Sequence, residues 1–212
     1  MRIQRYCSDL LRSNMYVISE GRHAVVIDPS RNTAPAKEWT VDWILLTHEH
    51  YDHISGVNAW REAAGSQVAC SAACAQNIGD SRRNCARYFE AFMEMQSWIK
   101  NPGPAEIDRT YTCRGDLALD HDQELFWQGH RIRCVALPGH SPGSMGYLVD
   151  EKHFFSGDSV IPGSPPELRF PGGNKIAWRE TAKPRLLELP WGITVWPGHF
   201  QETDSELWRS ML

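Results

Sequence analysis

LLTHEHYDH, residues 45–53, sets two leucines ahead of a stretch holding three histidines and one aspartate. The apolar part begins earlier, so that WILLTH (43–48) reads as a strand buried on both faces by helices. Downstream, DHISGVNAWREAAG (52–65) carries Ile54, Val57 and Trp60 near helical spacing, opens on an aspartate able to cap and stops at Gly65. The order is strand, polar loop, helix.

In an extended backbone, residues two apart point to one side, which predicts that His48, His50 and Asp52 converge while the turn into the helix brings His53 beside Asp52. Crowded imidazoles repel one another when protonated and need partners when buried. A divalent cation answers both requirements. By the same alternation Glu49 and Tyr51 face away and are not ligands. A metal cluster calls for further ligands at other strand ends, and three segments offer them through glycine turns. These are LPGHSPGS (137–144) with His140, FFSGDS (154–159) with Asp158 and VWPGHF (195–200) with His199. His23, His121, His130 and His153 lack such a setting and read as surface or turn residues.

Around this motif the chain suggests two sheets packed face to face with helices outside. MYVIS (15–19) and HAVVIDP (23–29) form a hairpin, and a short strand covers SQVAC (66–70). Further strands are predicted at 124–128, 131–139, 145–150 and 153–158, then a helix around 176–188, a strand at 193–196 and a short terminal helix. Residues 81–100 form a helix with Tyr88, Phe92 and Met95 on one stripe and Phe89 and Met93 on its flank; NPGP (101–104) ends it. That helix is either core packing or the wall of a substrate pocket.

Composition narrows the functional classes. The chain of 212 residues is 42% hydrophobic and 23% charged, the balance of a globular protein, and one domain over 1–212 with a helical insertion around 75–104 is the expected organisation. A net charge of −4 without a dense basic run stands against a nucleic-acid partner. No apolar run reaches membrane-spanning length, and no signal-peptide pattern opens the chain. The six cysteines include no CxxC pair and read as reduced thiols of a cytoplasmic protein.

Taken together, HxHxDH at His48, His50, Asp52 and His53, followed in order by His140, Asp158 and His199, resembles the metallo-β-lactamase superfamily, in particular its glyoxalase II-like (hydroxyacylglutathione hydrolase-like) branch; VVIDP with Asp28 resembles an early element of that family. The resemblance spans roughly residues 12 to 200 and implies an α/β fold, a four-layer αβ/βα sandwich of two mixed sheets with helices outside. It implies a dinuclear site: His48, His50 and His140 on one metal, Asp52, His53 and His199 on the other, Asp158 bridging. The donor set suits two Zn²⁺ per chain and also accepts Fe or Mn.

The implied activity is hydrolysis of a thioester, lactone or related ester in a small-molecule substrate by a hydroxide bridged between the metals, with Asp52 in acid–base work. Ser141 and Asp28 either support the ligands or serve turns and caps. The alternative is a mononuclear iron persulfide dioxygenase using His48, His140 and Asp158. Less weight falls on a phosphodiesterase or nuclease and on a non-catalytic metal-binding scaffold. Only 13 residues follow His199, so the long helical region with which glyoxalase II enzymes hold glutathione is not expected. Tyr88 and Phe92 from 81–100 and Arg169 from the loop IPGSPPELRFPGGN (161–174) are the candidate substrate contacts, Arg169 for a carboxylate.

Overall fold

The computed structural model describes residues 1–33, 39–95, 106–204 and 206–212. Eleven strands among them form two mixed sheets. In the first, β1 (Arg2–Cys7), β2 (Asn14–Glu20), β3 (His23–Ile27), β4 (Thr40–Leu45), β5 (Gln67–Ser71) and β6 (Leu117–Leu119) lie side by side in sequence order. The hairpin pairs are antiparallel, whereas β3 through β6 run parallel. In the second, β11 (Thr194–Pro197), β10 (His153–Gly157), β9 (Met145–Val149), β8 (His130–Ala136) and β7 (Glu124–Trp127) follow one another, with only β10 and β11 parallel.

Alternation along the strands divides the core into layers. On the outer face of the first sheet Val17, Val26, Ile44 and Leu46 pack with Ile54, Val57 and Trp60, which come from the helices α1 (Tyr51–Ile54) and α2 (Val57–Ala64). Their neighbours Ile18, Val25, Ile27 and Leu45 point the other way, onto Ile132, Tyr147, Val149 and Phe155 of the second sheet. On the far side, Val135, Leu148, Phe154 and Val195 meet Trp178 and Leu186 of the helical stretch Lys175–Leu187, together with Trp208. The result is helix, sheet, sheet, helix, with three apolar interfaces. The continuous apolar run at β4 therefore has a different cause from the one expected: helices cover one face, and the second sheet covers the other.

The helix expected over 52–65 is two short helices. Gly56 interrupts it because its amide donates to the Pro29 carbonyl (2.8 Å) and its Cα lies against the 29–30 backbone. The aspartate does not cap: the N-cap is His50, and Asp52 sits in the first turn of α1. The C-terminal stop is as read, with Gly65 left-handed at φ 67°. The single helix expected over 81–100 is likewise absent in its first half, where a left-handed Cys85 leads into a 3₁₀ turn (Ala86–Tyr88) and then α4 (Phe89–Met95). Its remainder, with Trp98, and the NPGP stop lie outside the described residues.

Several elements went unforeseen. β1 carries no apolar alternation and pairs only at the sheet edge, β6 is three residues long, and α3 (Ala72–Asn77) is a single capped turn and a half, its Cys74 amide held by the Ser71 hydroxyl. The cysteines are all free thiols. No described helix is long and apolar enough to cross a membrane.

A methyl group on Gly56 would stand 2.5 Å from the Ser30 carbonyl oxygen, against backbone rather than a side chain that could move. Gly56→Ala should therefore destabilise the fold by about 1–3 kcal/mol, read as a lower urea midpoint; an unchanged midpoint would show that the 29–30 loop yields freely.

Candidate metal centre

The rim where the two sheets meet collects the ends of several strands. Strands β8, β10 and β11 share one direction, and their carboxyl ends lead to His140, Asp158 and His199, while β4 of the other sheet leads to His48. The chain leaving β4 is fixed from both sides. Leu46 N donates to the Ala69 carbonyl (3.0 Å), Tyr147 Oη donates to the Leu46 carbonyl (2.7 Å), and Met145 N donates to the Thr47 carbonyl (2.7 Å). The strand itself ends at Leu45. His48 and His50 thus occupy an irregular loop and Asp52 and His53 a helical turn, so strand alternation is not what makes them converge.

They converge nonetheless. All seven residues singled out in the sequence are buried. Ligand-type atoms of His48, His50 and His140 lie within 4.8 Å of one another, as do those of Asp52, His53 and His199. Asp158 sits between the groups, with Oδ1 3.4 Å from His53 Nε2 and Oδ2 3.5 Å from His140 Nε2 and 3.3 Å from His199 Nε2. Asp52 Oδ2 is 3.5 Å from Nε2 of both His53 and His199. Gly198 is required by this closeness, because a Cβ there would strike Asp158 Oδ1 and stand 2.9 Å from His53 Cε1.

The surrounding hydrogen bonds fix which nitrogen faces inward in four of the five rings. His140 Nδ1 donates to the Glu167 carbonyl (2.7 Å), and His199 Nδ1 to the Leu11 carbonyl (3.1 Å). His53 Nδ1 donates to Asp28 Oδ2 (3.0 Å). Thr47 gives its hydroxyl proton to Asp28 Oδ2 (2.6 Å), and its oxygen accepts from His48 Nδ1 (3.0 Å). In the neutral rings Nε2 of these four is then a lone pair aimed at the cluster, whereas His50 turns its Nδ1 toward His140 Nε2 (3.0 Å); inward ring nitrogens of this kind are what imidazoles offer to metals. Nε2 of His48, His50 and His53 and Oδ1 of Asp158 are buried without a hydrogen bond. Orphaned polar atoms of this kind are costly, and bound cations satisfy them.

Charge tells the same story. Burial, with His53 and His50 beside it, drives the His48 pKa well below the usual imidazole range, and burial with His140 does so for His50. Burial acts the same way on His53, but Asp52, Asp158 and Asp28 outweigh it and push its pKa up to about 10; His199 also rises because of Asp158. Against its own burial, Asp158 is held well below the carboxylate range by His199 and His53. Protons and cations compete for this negative pocket, so metal binding strengthens as pH rises.

Asp28 is the support that the sequence left open: it also accepts from Thr47 N (2.7 Å). Thr47 and Glu49 were missed in that role. Glu49 faces away from the cluster, as read, yet it is buried and accepts from Asn77 Nδ2 (2.7 Å), Ser141 Oγ (2.7 Å) and Gly143 N (3.3 Å), tying the His48 loop to the His140 loop. Ser141 is thereby a support and not a ligand. Tyr51 packs at 5.2 Å on Phe89 and Tyr111. His23, His121, His130 and His153 stand away from the cluster, the first and third on Asp42 and Asp150.

A cavity of about 320 Å³ opens over the cluster, with His50, Asp52, His140, Asp158 and His199 at its floor. Of the three expected substrate contacts, Phe92 lines it. Tyr88 does not; it is largely exposed on the 3₁₀ turn. Arg169 is no part of the wall either: its guanidinium points outward and pairs with Glu167 (2.9 and 2.6 Å). Phe170, next in the chain, lines the cavity instead, 5.3 Å from the Phe92 ring and 5.9 Å from those of His50 and His140. Cys85 also lines it, but burial, with Asp52 nearby, pushes its thiol up to about 12, far from a nucleophilic thiolate.

The model of the Metallo-beta-lactamase superfamily matches residues 8–199, a span containing every converging ligand-type residue. The "Probable polyketide biosynthesis zinc-dependent hydrolase BaeB" of Bacillus velezensis is 27% identical over 93% of this chain and 77% of its own length. A hydroxyacylglutathione hydrolase of Pseudomonas putida is 28% identical over 66% of this chain, which spans 44% of that protein. Among solved structures, the BLEG-1 B3 metallo-beta-lactamase superposes with a TM-score of 0.77 at 24% identity, covering 95% of this chain and 93% of that one, a likeness of fold.

Asp28 adopts φ 52°, a conformation that asparagine tolerates. Asp28→Asn should keep the fold but replace the oxygen that accepts from His53 and Thr47 with an amide. Metal affinity, measured by chelator competition, should fall about 10- to 100-fold; unchanged affinity would show that Asp28 does not orient the ligands.

Proposed function

The chain belongs to the metallo-beta-lactamase superfamily, and from that premise we propose that it is a metal-dependent hydrolase that cleaves a thioester, lactone or related ester. The observation that carries this reading is the convergence of five imidazoles and two carboxylates whose inward atoms are buried and, in part, without hydrogen bonds. His48, His50 and His140 would hold one ion and Asp52, His53 and His199 a second, in keeping with two of the three groups of clustered ligand atoms; in the third, Asp28 with His48 and His53, the Asp28 carboxylate is already taken by Thr47 and His53 Nδ1. Asp158, whose Oδ2 lies near both His140 and His199 and whose Oδ1 lies near His53, would bridge. Zinc is the first choice of metal, in line with the name of the Bacillus relative, and the same nitrogen and oxygen donors accept iron or manganese. When bound, such a pair supplies hydroxide at neutral pH and polarises a carbonyl.

The chain's own groups would do the rest. Asp52 reaches the cavity from the first turn of α1, and burial raises its pKa above the ordinary carboxylate value. A carboxyl so placed can orient the attacking oxygen and carry a proton to the departing thiol or alcohol. Cys85, kept as a thiol, would take no part as a nucleophile. The name of the Pseudomonas relative points to acylated thiols as a class of substrate. His48, His140 and Asp158 alone would suffice for a mononuclear iron dioxygenase, but that reading leaves Asp52, His53 and His199 without a role.

Zinc-loaded protein should release thiol from simple thioesters under argon, and Asp52→Asn should lower kcat/KM by about 100-fold or more, with metal content measured on the same sample. Turnover that survives complete chelation, or oxygen uptake on a persulfide in place of thiol release, would contradict the proposal.

A further inference from the structure

The wall of the cavity says what kind of molecule its floor can act on. Leu11, Phe89, Phe92, Ile161, Phe170 and Phe200 make most of that wall, and among the described residues no lysine or arginine lines it. Glu167, the one ionisable lining residue apart from Cys85 and the proposed ligands, is committed elsewhere. Its carboxylate is gripped by Arg169 through both oxygens, and its carbonyl holds the His140 ring. The aromatic part of the wall reaches the floor itself: Phe170 stands edge-on to both His50 and His140 and packs edge-to-face on Phe92. Phe92 and Phe170 are half-buried, so each keeps apolar surface that a bound group would cover.

We infer that the substrate is an uncharged ester or thioester with a bulky apolar group next to the reacting carbonyl, seated against Phe92 and Phe170. The inference rests on the hydrolase reading for the reacting bond and on the cavity wall for the rest. With the proposed metal ions engaged by the reacting carbonyl, a carboxylate brought beside these aromatic rings would lose its hydration and find no described lysine or arginine to replace it, a loss that an alkyl or aryl group does not suffer. Carboxylated thiols and dicarboxylic acyl groups are disfavoured on the same ground. Arg169, next to Phe170 in the chain, is turned outward and paired with Glu167, and Arg12, next to Leu11, is exposed and no part of the lining.

The test compares three thioesters with zinc-loaded protein. One joins a hexanoyl group to the neutral thiol N-acetylcysteamine, the second exchanges the terminal methyl for a carboxylate (adipoyl), and the third joins hexanoyl to thioglycolate. Non-hydrolysable thioether analogues of the same three are titrated calorimetrically. The neutral compound should exceed each charged one by about tenfold or more in kcat/KM and in affinity, and Phe170→Ala and Phe92→Ala should each narrow the ratio by about tenfold. A charged compound that is turned over and bound as well as the neutral one overturns the inference while leaving hydrolysis standing, as does a ratio unmoved by both substitutions. If no thioester is cleaved, the thioester part of the hydrolase reading fails, and the thioether affinities still decide the chemistry of the wall: a clear preference for the neutral analogue upholds it, and equal affinities overturn it.

Discussion

Two carboxylates and five imidazoles share one buried space at the rim between the sheets, and most of the molecule can be understood as the means of holding them there. Left to themselves, such groups would open the fold to water, because buried charge without a partner is expensive and imidazoles repel one another once protonated. The structure restrains them from behind. Carbonyls of Leu11 and Glu167, the carboxylate of Asp28 and the hydroxyl of Thr47 each take an Nδ1 proton, which turns the remaining ring nitrogens toward a common centre. A cation at that centre would convert mutual repulsion into coordination and give the buried orphan atoms partners.

The four-layer architecture supplies the stiffness this needs. Parallel strands that end together deliver side chains from remote parts of the chain to one edge, and the apolar layers on either side fix the strands that deliver them. Glu49 links the His48 loop to the turn carrying Ser141 and Gly143, so ligands from the two sheets move as one unit. Above this rigid floor the wall is built differently, from Phe92 of a short helix and Phe170 of a proline- and glycine-rich loop. Chemistry is thereby assigned to strand ends and selectivity to segments that can vary without disturbing them.

How far the sequence disclosed this depended on whether a signal was local. The short apolar runs of the β2–β3 hairpin and of β8 to β10, and the histidines and aspartates behind glycine turns, are legible because each is written in a few consecutive residues. The seven ligand-type residues do converge, but not by the strand alternation expected of the first three: β4 stops at Leu45, and it is a loop and a helical turn that bring His48, His50 and Asp52 together. Long-range partners were less accessible. Nothing around Asp28 or Glu49 tells which backbone amide or ring they meet across the fold, and Arg169 looked available until Glu167, two residues before it, proved to hold it. Tyr88 was misplaced because the helix assumed for it is a 3₁₀ turn there, which rotates the stripe by which Phe92 still reaches the cavity.

Two adjoining cation sites bridged by Asp158 would give the protein a definite metal content. Elemental analysis of protein purified without added metal measures this most directly, with zinc, iron and manganese quantified against protein concentration. Two sites should yield about two metal ions per chain, falling to about one when His53 and His199 are both replaced by alanine. A wild-type protein that binds one ion or none after equilibration with excess zinc would contradict it.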